Sequence, residues 1–410
     1  MSETKNIAII TSGYFPVPAV LGGAVEALDE NLIRQNEIEK KLNVTVYSCY
    51  NADAVEKAKE YQNTKFEFVK IPSVIQLADK IIYYIAKNIL HKNKSMSYRY
   101  IIQRLYYIDC VAATLKENDY DKVVLENHAT LFMTLKRHEN YKKYIGRYYY
   151  HLHNAVTNDY GCNHIVANCK KVIGVSNYIN STLKSFLGEK DNNTYCVLKN
   201  RIDRDQFAVN LTSEEKHKIR KQFSLVDEDK VVLFTGRFNP EKGIKELLLA
   251  FKNVKTENTK LLIVGSYYFG SGMVSPFERE MYALAEEMQD RVKFTGFIPY
   301  NKMPSIYSIA DIVVIPSVWD DPAPLTVIES LTSGKALITT YSGGIPEYAD
   351  PECSILLSRD GKLVSNLTDA IEKLVNNEEL RHKLENAARE KTEMWTVKSF
   401  YDDFCCLLED

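Results

Sequence analysis

The strongest constraint on the fold is an alternation that runs along the chain twice. Short, continuous apolar runs are separated by longer amphipathic stretches. Residues 6–10, 44–47, 66–69, 122–125, 147–150 and 171–175 form the first series of runs. Residues 230–234, 260–264, 292–294, 311–315 and 336–339 form the second. Continuous apolar runs between helical patterns specify parallel strands buried on both faces by helices. At 410 residues the chain exceeds one ordinary core. It therefore reads as α/β, with two Rossmann-like doubly wound domains facing across a cleft. The join falls in the polar stretch 187–200, near Leu198. The expected domains are 1–197 and 198–390, followed by a C-terminal helix within 391–410 that packs back toward the first domain.

Charge narrows the partners. Lysine plus arginine total 52 and aspartate plus glutamate 54, a formal net charge of -2. That balance argues against nucleic acid as a partner. No apolar run approaches the length of about 18 residues that a membrane span needs. The first ten residues read as a strand and not a signal peptide. Eight scattered cysteines without a Cys-x-x-Cys pair suit reduced thiols, so the expected location is cytoplasmic. The charge is unevenly spread, however. Between Lys80 and Ile108 there is no acidic residue, while Lys80, Lys87, Lys92, Lys94, Arg99 and Arg104 all fall there. Ile81, Tyr83, Tyr84 and Ile89 add apolar and aromatic bulk. Such a stretch suits peripheral contact with an anionic membrane, at the inner face. A helix with a core-facing side and a solvated basic side fits the same residues.

Three loops carry the chemistry. Gly236, Arg237, Lys242 and Gly243 lie between a strand and a helix. Two cations on such a loop suit an anionic ligand, helped by the partial positive charge of the helix start. A surface salt-bridge loop is the plainer reading of those residues alone. Asp320, Asp321, Pro322, Pro324, Leu325, Thr326 and Glu329 follow a later strand. Amides at Leu325 and Thr326 suit a phosphate, and carboxylates at Asp321 and Glu329 accept bonds from hydroxyls, as a sugar or ribose offers. Gly343 and Gly344 after the next strand let backbone approach something closely, or form a plain turn. His151 and His153 share one face of a strand. Their spacing also suits a metal pair, but no nearby carboxylate or cysteine completes a site, so no metal is expected. His128 ends the preceding strand. Three Asp-x-Asp stretches, at 119–121, 203–205 and 227–229, read as chance spellings in turns.

In order and spacing these loops resemble the retaining nucleotide-sugar glycosyltransferases of family 4, which have the GT-B fold. Asp321 and Glu329 are similar to that family's Glu-x7-Glu motif, and Gly22 and Gly23 to its N-terminal glycine loop. The resemblance implies a metal-independent, retaining hexosyltransferase without a cofactor. It would move a hexose-type sugar from a nucleoside-diphosphate sugar to a hydroxyl of a glycan or lipid-linked glycan, in bacterial surface polysaccharide synthesis. It implies that Arg237 and Lys242 bind the donor diphosphate and that Glu329 binds ribose. Asp321 would bind the transferred sugar, and Leu325 and Thr326 would offer amides. Phe297 and Ile298 would border the base, and Gly23 would allow approach to the phosphates. His153 would lie beside the donor sugar, with His151 and His128 on the acceptor side. Two positions depart from the family pattern. Asp321 replaces the usual glutamate, and Arg201 replaces a usual glycine.

Rival readings are a GT-B epimerase or hydrolase of nucleotide sugars and a non-catalytic nucleotide-sugar-binding module. A glycoside hydrolase with Asp321 and Glu329 as paired carboxylates would leave the Arg237 and Lys242 loop without a purpose.

Overall fold

A computed structural model describes residues 4–90, 99–266 and 275–409. The chain divides into two compact units. One comprises Met1–Lys199 together with Phe400–Asp410, and the other Asn200–Ser399.

The first unit is built on strands β1 (Lys5–Ile10), β2 (Leu42–Cys49), β3 (Thr64–Val69), β4 (Lys122–Glu126), β5 (Tyr148–Leu152), β6 (Lys171–Gly174) and β7 (Tyr195–Val197). They form one seven-stranded sheet in the order β3-β2-β1-β4-β5-β6-β7. Every described pairing is parallel. Ile7, Ala8, Ile9 and Ile10 of β1 are buried, as expected of a central strand covered on both faces. The order reverses between β1 and β4, so the loops after those two strands flank a topological switch point, where ligands of such sheets bind.

The second unit repeats the plan. Its strands are β8 (Lys230–Thr235), β9 (Thr259–Val264), β10 (Val292–Gly296), β11 (Ile312–Ile315), β12 (Ala336–Thr340) and β13 (Ser354–Leu357). Their order is β10-β9-β8-β11-β12-β13, again parallel. Two apolar clusters cover the two faces of this sheet. Phe234 and Val314 belong to one, and Leu233 and Val313, one residue away along the same strands, belong to the other. Here the order reverses between β8 and β11.

Two strands, β7 and β13, were not expected from the sequence. Both are short edge strands with half-buried residues, and β7 lies inside the polar stretch that reads as a domain junction.

The C-terminal helix spans Val397–Glu409, after the helix Glu378–Thr392. Its Phe400, Tyr401, Phe404 and Leu408 are buried. The Tyr401 hydroxyl donates to Asn36 Oδ1 at 2.5 Å, and Lys171 Nζ donates to the Leu407 carbonyl at 3.0 Å. No helix among the described residues is long and apolar enough to cross a membrane.

The basic segment differs from a core-facing helix. It forms a helix over Ser73–Tyr84 continuing as a π-helical turn over Ile85–Ile89. Val74 is 78% exposed, Ile81 52% and Tyr84 61%. Asp79 is the one buried residue of Ser73–Tyr84. Its carboxylate accepts the backbone N–H groups of Ile102 and Gln103, each at 2.9 Å, at the start of the helix Ile101–Glu117. The helix is thus anchored by a polar contact and turns apolar residues to solvent. Arg104 is not part of a basic surface: it is buried, donates to Thr130 Oγ1 and lies over the Tyr14 ring. Lys92 and Lys94 lie outside the described residues.

Candidate functional site

In the second unit the three loops singled out in the sequence follow β8, β11 and β12, all at strand carboxyl ends. The first two flank the switch point. Glycine is required where they touch. Gly243 has φ 71, and a Cβ there would sit 1.9 Å from the Pro316 carbonyl oxygen in the β11 loop. Gly343 has φ 51, and its Cβ would meet the backbone of Asp320 and Asp321. The Gly343–Gly344 turn therefore approaches the acidic loop. Gly344 N–H donates to the Asp321 carbonyl at 2.8 Å, and Gly343 N–H to Asp320 Oδ1 at 3.2 Å. The β8 and β11 loops are also joined by Val318 N–H donating to the Glu241 carbonyl at 3.0 Å.

This packing brings Lys242 and Asp321 into an ion pair whose side chains are only 17% and 8% exposed. Each therefore neutralises the other. Arg237 on the same β8 loop is exposed and has no carboxylate partner among the described residues. It is the free cation of the pair expected to meet an anion. Leu325 and Thr326 open the helix Leu325–Thr332. Their amides belong to the first turn, whose N–H groups lack intrahelical acceptors.

Glu329 lies on that helix, 5% exposed. Tyr307 donates to its Oε2 at 2.8 Å, and Tyr300 also bonds to it. Burial pushes the carboxyl up to about 7, and the two tyrosine bonds only partly oppose the shift. Neither tyrosine stood out in the sequence, because both reach Glu329 from the segment after β10 by tertiary packing. Phe297 is exposed, and half-buried Ile298 packs on the core. The two side chains follow β10, which carries a register shift at Gly296.

In the first unit, Gly23 has φ 104 and starts the helix Ala24–Glu39 after the β1 loop. A Cβ there would meet Glu26 Oε2 at 2.2 Å. Glu26 is buried and accepts from Ser12 Oγ at 3.0 Å. His128, after β4, packs on the Tyr14 ring at 5.1 Å. Burial, with Arg104 adding to it, lowers its pKa to about 4, so it is neutral at physiological pH.

His151 and His153 do lie together, with ring centroids 4.2 Å apart. The expectation that no carboxylate joins them is wrong. Glu126 of β4 stands directly opposite His151 of β5 in the parallel register. Its Oε2 is 2.9 Å from His151 Nδ1 and 3.5 Å from His153 Nε2. Sequence distance hid it, because the two strands are joined through residues 127–147. Burial alone would raise Glu126, yet the charge of His151, with His153, holds its carboxyl below the ordinary range. Burial pushes His153 down to about 4, His151 adding to the effect. His151 itself is fully buried. His153 is 6% exposed.

Two doubly wound units with glycine-shaped loops at their switch points define the class, and solved structures agree. The fold matches Anabaena HepE, solved with UDP and glucose, at TM-score 0.71 and 17% identity, covering 98% of this chain and 99% of that one. The chain has the GT-B fold. More narrowly, residues 215–391 match the family Glycosyl transferases group 1. Spore coat protein SA of Bacillus subtilis is 24% identical over 397 residues, 95% of this chain and 94% of its own length. Lipopolysaccharide 1,2-N-acetylglucosaminetransferase of Salmonella typhimurium is 32% identical over 133 residues, 32% of this chain and 35% of its own length.

Proposed function

We propose that the chain is a retaining hexosyltransferase of the family 4 type, transferring sugar from a nucleoside-diphosphate donor to a glycan or lipid-linked glycan. The observation that carries this reading is the β8–β11 switch point, where the β8 loop carries exposed Arg237 and also Lys242, which pairs with buried Asp321. A donor diphosphate there meets Arg237 and Lys242, frees Asp321 for a sugar hydroxyl and offers its ribose to Glu329. Leu325 and Thr326 add amides, and Phe297 and Ile298 border the base. The two cations offset the charge that grows on the leaving diphosphate, the kind of preorganised charge that dominates many catalysed transfers. No metal is needed at the diphosphate in this scheme. The leaving phosphate takes the acceptor proton on the same face of the sugar, so the configuration is retained. His153 serves the donor sugar and His128 the acceptor side, with Gly23 opening the first-unit loop.

Support for UDP-sugar as the first donor to try comes from HepE, solved with UDP and glucose. Support for surface polysaccharide synthesis comes from the local similarity to the lipopolysaccharide enzyme. A thermal-shift panel of nucleoside-diphosphate sugars tests the assignment. A donor at 100 times its Kd stabilises by about 2.7 kcal/mol, which is about 5 °C or more for a unit of this size. No shift with any such sugar overturns the reading. Nucleoside diphosphate released equally fast without acceptor would instead indicate a hydrolase.

The exposed apolar face of Ser73–Ile89, with Lys80 and Lys87 beside it, supports docking on anionic lipid. Basic residues near such a surface contribute about 1 kcal/mol each. The chain should sediment with vesicles containing phosphatidylserine and not with neutral ones. Changing Val74, Ile81 and Tyr84 together to serine should weaken this at least about tenfold. Equal sedimentation with both vesicle types, or none with either, rules the docking out.

A further inference from the structure

We propose that Arg104 anchors a binding site in the first unit for an anionic oxygen group, a phosphate or a carboxylate, carried by the acceptor. Calling the ligand an acceptor rests on the transferase reading above; the anion site rests on the first unit alone. Arg104 lies in the first turn of the helix Ile101–Glu117 and is 7% exposed. Its guanidinium joins the two loops that flank the β1–β4 switch point. In the turn after β4, Thr130 Oγ1 accepts from Nη2 at 2.6 Å and from Nε at 3.2 Å. On the β1 loop, the Tyr14 ring lies over the guanidinium at 4.7 Å. Gly13 has φ 71, and a Cβ there would sit 3.1 Å from Nη1 and 2.8 Å from the Tyr107 ring. The β1 loop therefore closes on Arg104 as glycine alone allows. This end of such a sheet, at the switch point, is where ligands bind.

The charge is what lacks a partner. Arginine keeps its proton inside a protein, and a buried charge is costly unless it is paired. The titratable groups that act on Arg104 are Tyr14, Tyr107, Tyr160 and Cys49, three phenols and a thiol. None is a carboxylate, and burial pushes the Cys49 thiol up to about 11, away from the anionic form. His128, packed on Tyr14, is neutral and neither adds to the charge nor offsets it. The aromatic faces attract the cation but leave its charge in place. Hydrogen bonding is incomplete as well. Thr130 takes the Nε and Nη2 edge, while Nη1 is enclosed without a hydrogen-bond partner. A guanidinium fork with an unused end suits the paired oxygens of a phosphate or carboxylate. Tyr14, 47% exposed above the fork, is the group that an entering anion displaces. Tyr14 and the 49% exposed Tyr160 also offer flat apolar faces to the sugar ring that bears the acid group.

The whole chain is titrated by calorimetry with methyl glucoside, methyl glucuronide and glucose 6-phosphate, which share a hexose ring and differ in charge. UDP is present at saturation, so that the cations of the β8 loop are occupied. One of the two acids should bind about tenfold or more tighter than methyl glucoside, as a charge-assisted bond implies. Which acid does so distinguishes a carboxylate from a phosphate. Arg104→Met should bring that acid to the level of methyl glucoside. Arg104→Lys keeps the charge without the fork and should retain only part of the preference. Lys218→Ala, at an exposed lysine of the second unit, should leave it unchanged. Wild-type binding of both acids no tighter than that of methyl glucoside overturns the proposal, and that measurement needs no variant to fold. A full preference in Arg104→Met, or in Arg104→Lys where the first variant does not fold, overturns it as well. Failure of the transferase reading shows separately, as the absence of stabilisation by any nucleoside-diphosphate sugar. In that case the same titrations without UDP, compared between wild type and Arg104→Met, still read the anion site.

Discussion

Replacing Arg237 and Lys242 together by alanine should lower kcat/KM with the nucleoside-diphosphate donor by about a thousandfold or more. Loss of a single preorganised donor to a developing anion costs about 10²- to 10³-fold, and here both cations of the β8 loop are removed. The single variants separate two effects. Arg237 is exposed and has no carboxylate partner among the described residues, so Arg237→Ala should lower turnover with little change in Tm. Lys242 balances a nearly buried Asp321. Lys242→Ala leaves that carboxylate without its cation, a change that typically costs about 3 kcal/mol or more for a buried pair. It should therefore lower both Tm and turnover. Adding Asp321→Asn to Lys242→Ala should restore part of the Tm but not the turnover. Turnover near wild type in the double variant, measured by release of nucleoside diphosphate in the presence of acceptor, would remove the phosphate role from this loop.

The contrast between Arg237 and Lys242 also shows what local sequence carries. Strands and switch-point loops were legible because their causes are local. Apolar runs make buried parallel strands, and glycines stand where a Cβ would collide, as at Gly243 against Pro316. The edge strands β7 and β13 were missed because a half-buried edge lacks a continuous apolar run. The Lys242–Asp321 pair was not legible. Each residue was read as a ligand contact, and only the packing of the β8 loop on the β11 loop brings them together. Glu126 was hidden for the same reason, since its pairing with His151 is set by sheet register. Arg104 was misread in the opposite direction. Its place in an acid-free stretch looked like surface charge, while the fold buries it between Tyr14 and Thr130. The acid-free composition was visible; which of its members face water was decided by Asp79, a single buried anchor.

Glu329→Gln should make the ligand-free protein more stable above pH 7 and the enzyme worse. Burial raises the Glu329 carboxyl from its ordinary 4.5 to about 7. The native state therefore binds this proton more tightly than the unfolded chain does. That contribution to stability is fully present below about pH 4.5 and is lost as pH rises to about 7. Above pH 7 the native state bears a cost on the order of 3 kcal/mol relative to the neutral form. Glutamine carries no charge at any pH and still offers Tyr307 an acceptor. Its Tm should match wild type near pH 4.5 and exceed it by about 6 °C near pH 8. Donor binding should move the other way. An ionised carboxylate accepts a ribose hydroxyl about 1.5–3 kcal/mol better than a lost contact, so affinity should fall about tenfold to a hundredfold. For the wild type, donor affinity should tighten as pH rises through 7, and this dependence should be absent in the variant. Thermal scans of the two proteins from pH 5 to 9, paired with donor titrations, read both effects. Parallel Tm curves across that range would mean that Glu329 stays ionised in the folded unit. Unchanged donor affinity would mean that ribose is held elsewhere. The two outcomes are independent, because the first depends on burial against Tyr300 and Tyr307 and the second on what occupies the loops of β8 and β11. A carboxylate kept in a site that disfavours its charge is expected where a bound ligand supplies the missing hydrogen bonds, and the loss of stability without ligand is the measurable counterpart of that arrangement.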